Sequence, residues 1–288
     1  MDKRQKTVNV IKDLHRYQDG DIESPEMIKS VCDYFDLIKD TALNDGDLQF
    51  LKKISNVVGI PHYFDNLNNF QKDGVSIDSH TLSSFSAQLY ESTLYTGDNS
   101  KVHKYQKEIL SLFQLAERNR YFLSASTSFG KTFLVYEIMR KMNYKNIVLI
   151  FPTIALLSEN LEKLHSDDFY SSYKIHTLSD VASEDMKADN IFIYTPERFL
   201  SFIEKHDDIP DFDFIFIDEV YKIDNEYIID EDEKKENERD VSYRIAAYYS
   251  VVGNADILLA GPYIESYSSS FERFLNRNGI IKCDFNQY

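Results

Sequence analysis

Hydrophobic positions follow two different rules along this chain. In the first part they recur at helical spacing, with Ile28, Val31, Cys32, Phe35 and Ile38 forming one stripe and Leu48, Leu51, Ile54 and Val58 a second. Ser24-Pro25-Glu26 predicts the start of the first helix, with Ser24 as N-cap, proline at the first position and an acid in the first turn. The second helix is expected from Asp47 and stops at Gly59-Ile60-Pro61. His62 to Ile77 is polar and rich in Asn and Asp, hence loop-like, and Leu82, Phe85 and Leu89 mark a third helix. Tyr95 to Ser100 reads as a boundary loop.

From Lys101 the rule changes. A helix through Tyr105 to Leu115 precedes a short apolar run, Tyr121-Phe122-Leu123, and Phe133 to Met142 again reads as a helix. Asn146 to Phe151 is a continuous apolar run, the pattern of a strand buried on both faces. A helix over Leu156–His165 follows, then strands near Tyr173–Thr177, Ile191–Tyr194, Phe212–Ile217 and Asp256–Ala260. Ile280-Ile281-Lys282-Cys283 reads equally as one more strand or as the start of a connection. Strand and helix in alternation predict an α/β fold with a parallel sheet. The expected organisation is an α-helical accessory region over residues 1–100 and an α/β domain over 101–288.

Composition narrows the class. A hydrophobic content of 43%, with 20 Phe and 20 Tyr, supports a sizeable core and argues against global disorder. No run approaches about 18 uninterrupted apolar residues and the N-terminus lacks an apolar secretion core, so no membrane partner is expected. Cys32 and Cys283 form neither a disulfide framework nor a metal-ligand pair, which fits a reduced, cytoplasmic compartment. The net charge of −16 opposes long-range attraction to nucleic acid but leaves room for contacts made through backbone N–H groups and hydroxyls. Asp230 to Asp240 reads as a solvated insertion, and the histidines show no ligand spacing.

The chemistry is concentrated in two stretches. Ser124-Ala125-Ser126-Thr127-Ser128-Phe129-Gly130-Lys131-Thr132 lies between an apolar strand and a helix, the arrangement of a phosphate-binding loop. Backbone N–H groups of the loop and the helix N-terminus make an anion cradle. Gly130 lets the backbone approach a phosphate, Lys131 can reach the β/γ-phosphates and the Thr132 hydroxyl can ligate Mg²⁺. Ala125 stands where the general pattern has its first glycine. The second stretch is Phe214-Ile215-Phe216-Ile217-Asp218-Glu219, an apolar strand that delivers two adjacent carboxylates at its C-terminal end. Asp218 suits Mg²⁺, held through water, and Glu219 suits the orientation and deprotonation of an attacking water.

Together these residues resemble the superfamily 2 DExD/H-box helicases over Tyr105 to about Tyr263. Ser124–Thr132 is similar to their motif I, in which alanine at the position of Ala125 is usual, and Asp218-Glu219-Val220-Tyr221 to their motif II. Tyr105-Gln106 resembles the Q motif, which implies that Gln106 reads the adenine edge. Phe151-Pro152-Thr153 resembles motif Ia and Thr195-Pro196-Glu197-Arg198 motif Ib. The resemblance implies a RecA-like P-loop NTPase fold. It implies Lys131, Asp218 and Glu219 as catalytic residues, and Ser126, Thr127, Ser128, Phe129, Gly130, Lys131 and Thr132, with Gln106, around ATP and Mg²⁺. Pro152, Thr153, Thr195, Pro196 and Arg198 would then hold single-stranded DNA or RNA.

Two departures qualify the match. Ala260-Gly261-Pro262 stands where motif III often has Ser-Ala-Thr, so the hydroxyls that relay ATP state are missing, and Tyr221 replaces the usual fourth residue of motif II. Helicases of this type have two RecA-like domains, and the expectation is that the second lies in a longer chain or in a partner. The Ser-Phe-Gly-Lys-Thr loop is similar to helicases of bacterial anti-phage defence, Hachiman among them, which brings a nuclease subunit into view as a partner. The function expected is an ATP-dependent nucleic-acid helicase or translocase; the alternative is an ATP-switched regulatory nucleic-acid-binding module that unwinds nothing.

Overall fold

A computed structural model describes residues 3–39, 41–65, 67, 89–90, 92–96, 100–126, 129–223, 238–264 and 266–285. The chain divides into two compact units, Met1–Ser111 and Leu112–Asn286.

The first unit is helical. Helices α1 (Lys3–Asp19), α2 (Ser24–Ile38), α3 (Asp45–Val57) and the short α4 (His62–Asp65) lead to α5 (Lys104–Leu112). The predicted stripes are the buried faces: Ile28, Val31, Phe35 and Ile38 on α2, and Leu48, Leu51 and Ile54 on α3, are all 5% exposed or less. Helix α1 carries only Val10 and Leu14 to the core, too thin a stripe to stand out from the sequence. Glu23, not Ser24, occupies the N-cap position of α2, so Ser24 is the first helical residue and its hydroxyl accepts from the Lys104 ammonium instead. Helix α3 starts two residues before the expected Asp47 because Asn44 caps it, with Asp47 closing a reciprocal capping box. It ends where Gly59 turns into the left-handed region at φ 80°. Part of the expected His62–Ile77 loop forms α4, and Leu82 and Phe85 lie outside the described residues.

The second unit is built on a sheet of seven parallel strands: β1 (Arg120–Ala125), β2 (Asn146–Ile150), β3 (Lys174–His176), β4 (Asn190–Tyr194), β5 (Phe214–Ile217), β6 (Asp256–Gly261) and β7 (Ile281–Phe285). Their order is β3-β4-β2-β5-β6-β1-β7. Helices α6 (Lys131–Met142), α7 (Ile154–Ser166), α8 (Pro196–Lys205), α9 (Glu238–Val252) and α10 (Ser269–Arg277) connect them. This is an α/β fold built on a parallel sheet, preceded in the chain by the helical region.

Alternation decides which helix covers which face. Phe122, Ile150, Val148, Phe192, Ile215, Ile217, Ile257 and Leu259 form one core with Phe199 and Phe202 of α8, Tyr243, Ala246 and Val251 of α9, and Phe271 and Leu275 of α10. The alternate residues turn to the other face, where the rings of Phe113 and Tyr144 pack on Phe214. The interior strands are covered on both faces, which is why they read as unbroken apolar runs. Each buried Val, Ile, Leu or Phe contributes about 1.5–3 kcal/mol by removal from water, so these runs outweigh any local helix preference. The Ile280–Cys283 ambiguity resolves into β7, which pairs with β1 from Tyr121↔Ile281 to Ala125↔Phe285. Glu238 to Asp240, at the end of the expected solvated insertion, begin α9; residues 230–237 lie outside the described set.

Candidate functional site

The sheet register aligns the chemical residues along one edge. Ile217 of β5 lies opposite both Ile150 of β2 and Leu259 of β6, and Leu259 lies opposite Phe122 of β1. Ile150 also pairs with Tyr194 of β4. The next residue on each strand is therefore Phe151, Asp218, Thr195, Ala260 and Leu123. Two main-chain hydrogen bonds carry the register past the last strand residues: Asp218 N–H donates to Ile150 O at 3.0 Å and Phe151 N–H to Tyr194 O at 2.9 Å. The phosphate-loop strand β1 and the carboxylate strand β5 are separated by β6 alone. Two strand spacings of about 4.8 Å set the loop and Asp218 roughly a phosphate chain apart.

The loop is shaped by Gly130, at φ 78° and ψ 37°, a left-handed conformation that opens α6 directly after it. Phe129 is buried: its ring stacks on Phe285 of β7 at 5.2 Å and 29°, and its N–H donates to Ser126 O at 3.2 Å. The Lys131 ammonium donates to Ala125 O at 2.9 Å and Ser126 O at 2.8 Å, folding back over the loop. Burial pushes its pKa down, opposed by the nearby Asp218 and Glu219. Thr132 lies in the first turn of α6, where N–H groups have no partner within the helix. Thr127 and Ser128 lie outside the described residues.

Across β6, burial raises the pKa of Asp218, while the Glu219 N–H, donating to Asp218 Oδ1 at 2.9 Å, pulls it the other way. Glu219 holds φ 51°, a left-handed conformation uncommon for a residue with a side chain and typical of strained functional positions. Its carboxylate is ion-paired with Lys222. A half-buried carboxylate, a partly desolvated lysine, a threonine hydroxyl and a helix N-terminus lie toward one edge. That donor set fits a magnesium-bound polyphosphate: hard oxygen ligands for the cation, N–H groups and a cation for the anion.

The remaining predicted residues do local work as well. Thr153 caps α7 by accepting from Leu156 N–H at 3.2 Å, and Thr195 caps α8 by accepting from Arg198 N–H at 3.4 Å. Pro152 is buried after β2, and Pro196 opens α8. Arg198 donates from its guanidinium to Thr177 O at 3.1 Å, tying α8 to the segment after β3. Gln106 belongs to the helical unit, where its Oε1 accepts from His103 N–H at 3.2 Å and its own N–H donates to His103 Nδ1 at 3.3 Å, capping α5.

Residues 103–239 match the DEAD/DEAH box helicase family model. Over that span the chain is similar to the DEAD/DEAH box helicases. The chain is 29% identical over 190 residues to Anti-bacteriophage protein B of Escherichia coli (strain K12), an alignment covering 66% of this chain and 25% of the relative. The chain thus spans a quarter of the length of the curated protein it matches. Among solved structures, the Pyrococcus furiosus Hef helicase domain aligns at 18% identity and a TM-score of 0.42, covering 63% of this chain and 38% of that one. Among the described residues, no helix is long and apolar enough to cross a membrane.

Three site residues escaped the sequence: Lys222 on Glu219, Phe285 under Phe129, and Tyr267, whose hydroxyl reaches Ser124. Lys222 had a faint signal, a cation one turn after the acidic pair. The other two pair across most of the domain's length, and no local pattern announces such partners.

Proposed function

We propose that this chain is the first motor domain of an ATP-dependent nucleic-acid translocase of the helicase class. The observation that supports it most is the placement of Asp218 level with Leu123 of β1, one strand removed from the strand that leads into the loop.

In this proposal Lys131, the first-turn N–H groups of α6 and the N–H groups over Ser126–Gly130 bind and orient the phosphates, Thr127 and Ser128 included. Gln106 reads the base. Thr132 and Asp218 hold Mg²⁺, whose chemistry is to screen phosphate charge while ATP supplies the free energy for movement. Glu219 accepts a proton from the attacking water once its carboxylate leaves Lys222. Single-stranded DNA or RNA runs past Pro152, Thr153, Thr195, Pro196 and Arg198, met by the N-termini of α7 and α8. A second RecA-like domain, in the longer chain or a partner, closes over the nucleotide and adds arginine side chains that offset transition-state charge. The name of the bacterial relative supports a role in anti-phage defence; a cytoplasmic setting and a nuclease partner belong to the same proposal.

Lys131→Ala tests the reading. The full-length variant is expected to lose ATP hydrolysis by a factor of about 10² or more, together with stimulation by single-stranded DNA or RNA. Wild-type turnover in the variant refutes the assignment. A switch that never unwinds is the second reading, favoured by the commitment of Arg198 to Thr177 O. Strand displacement by the full-length protein separates the two.

A further inference from the structure

The end of β1 is tied to the far end of the domain by hydroxyl groups. Ser124 is fully buried, and its Oγ lies 3.4 Å from Pro262 O and 3.3 Å from the Tyr267 hydroxyl. Tyr267 in turn donates to Pro262 O at 3.0 Å, the shortest contact of the triangle. Pro262 is the first residue after β6, the strand that separates the phosphate loop from Asp218. Whatever fixes the exit of β6 against Ser124 therefore fixes one wall of the loop.

The ring that carries the Tyr267 hydroxyl is held from three sides. It meets Phe122 edge-on at 5.3 Å, lies against Phe271 at 5.0 Å, and has the Lys282 ammonium over it at 4.8 Å. Close approach beneath is enforced by Gly261, where an added Cβ would come within 3.3 Å of the Phe122 ring. Residues 260–262 have no hydroxyl of their own. Tyr267 brings one to the place from the start of the next connection, and Ser124 supplies the complement from β1.

We propose that Ser124 and Tyr267 form a hydroxyl lock that holds the phosphate loop against the exit of β6, with Tyr267 as a positioning residue for nucleotide binding. The kinetic part rests on the ATP assignment above; the structural part does not. Tyr267→Phe keeps the ring and its packing and removes only the hydroxyl. In the full-length protein it is expected to raise KM for ATP about fivefold, the factor that one neutral hydrogen bond carries, with kcat within about twofold. Ser124→Ala is expected to do the same, and the double variant to lose less than the product of the two single losses, because the Ser124–Tyr267 contact is removed in both single variants.

Amide hydrogen exchange over residues 124–132, measured without nucleotide, is expected to quicken about fivefold in Tyr267→Phe while exchange in β2 and β4 stays at the wild-type rate. An unchanged KM in both single variants, multiplying losses in the double variant, or unchanged exchange at the loop each overturns the lock. Lys131→Ala run alongside keeps the two ideas apart. Lost turnover there with a wild-type KM in Tyr267→Phe overturns the lock alone. Retained turnover in Lys131→Ala overturns the ATP assignment and leaves loop exchange to decide the lock.

Discussion

Phe129 occupies the middle of the phosphate loop yet works through its side chain as a peg, and Phe129→Ala measures that work. The ring is 1% exposed and stacks on Phe285, which closes β7 beside Ala125. Removing a buried phenyl ring costs about 3–5 kcal/mol, of which roughly 0.5–1.5 is the aromatic pair itself. Phe285 ends an edge strand and can settle into the gap, which favours the lower figure of about 3 kcal/mol. With an unfolding entropy of about 2 cal/mol/K per residue, the unit Leu112–Asn286 carries about 0.4 kcal/mol/K, so Tm should fall by about 8 °C. Phe129→Leu keeps most of the apolar area, loses the stack and should cost about 3 °C.

Thermal unfolding of the full-length protein by calorimetry reads both variants, and an ATP-analogue titration follows the loop. In Phe129→Ala the loop loses its peg beside Gly130, so analogue affinity should drop by about tenfold. A Tm within about 2 °C of wild type for Phe129→Ala would show that the stack carries no stability and that Gly130 alone shapes the loop.

Gly130→Ala places a Cβ at φ 78°, a conformation that costs about 1–2 kcal/mol for an L-residue; analogue affinity should fall about tenfold and Tm by about 4 °C, both read from the same titration and melt. Asp218→Asn should abolish Mg²⁺-dependent hydrolysis and yet raise Tm at pH 7 by a few degrees, because it removes a buried charge and keeps an oxygen for the Glu219 N–H. Its folded-state pKa is raised above the ordinary 3.8, so the unfolded chain ionises first as pH climbs and the folded protein bears the cost once pH exceeds the raised value. The gain from asparagine should therefore be complete at pH 7 and vanish as pH falls toward 4; a constant gain across that range contradicts the burial argument.

Sequence alone determined the α/β class of the larger unit and singled out its candidate chemical residues. Gly-Lys-Thr after an apolar strand and Asp-Glu after another are local patterns, since a phosphate cradle and a metal carboxylate need particular residues at a strand end. Unbroken runs such as Asn146–Ile150 likewise announced strands covered on both faces. Tertiary structure decided how those ends meet. The order β5-β6-β1, which sets Asp218 one strand from the loop, follows from how seven strands pair, and nothing along any one strand encodes its neighbours. Helices α8, α9 and α10 are absent from the sequence reading; α9, for example, buries Tyr243, Ala246 and Val251. Phe285 under Phe129 and Tyr267 beside Ser124 are contacts across 156 and 143 positions in a chain whose local periods span a few residues. Such partners exist only once β7 has been laid against β1 and the exit of β6 against Ser124, which is why the loop was legible and its supports were not.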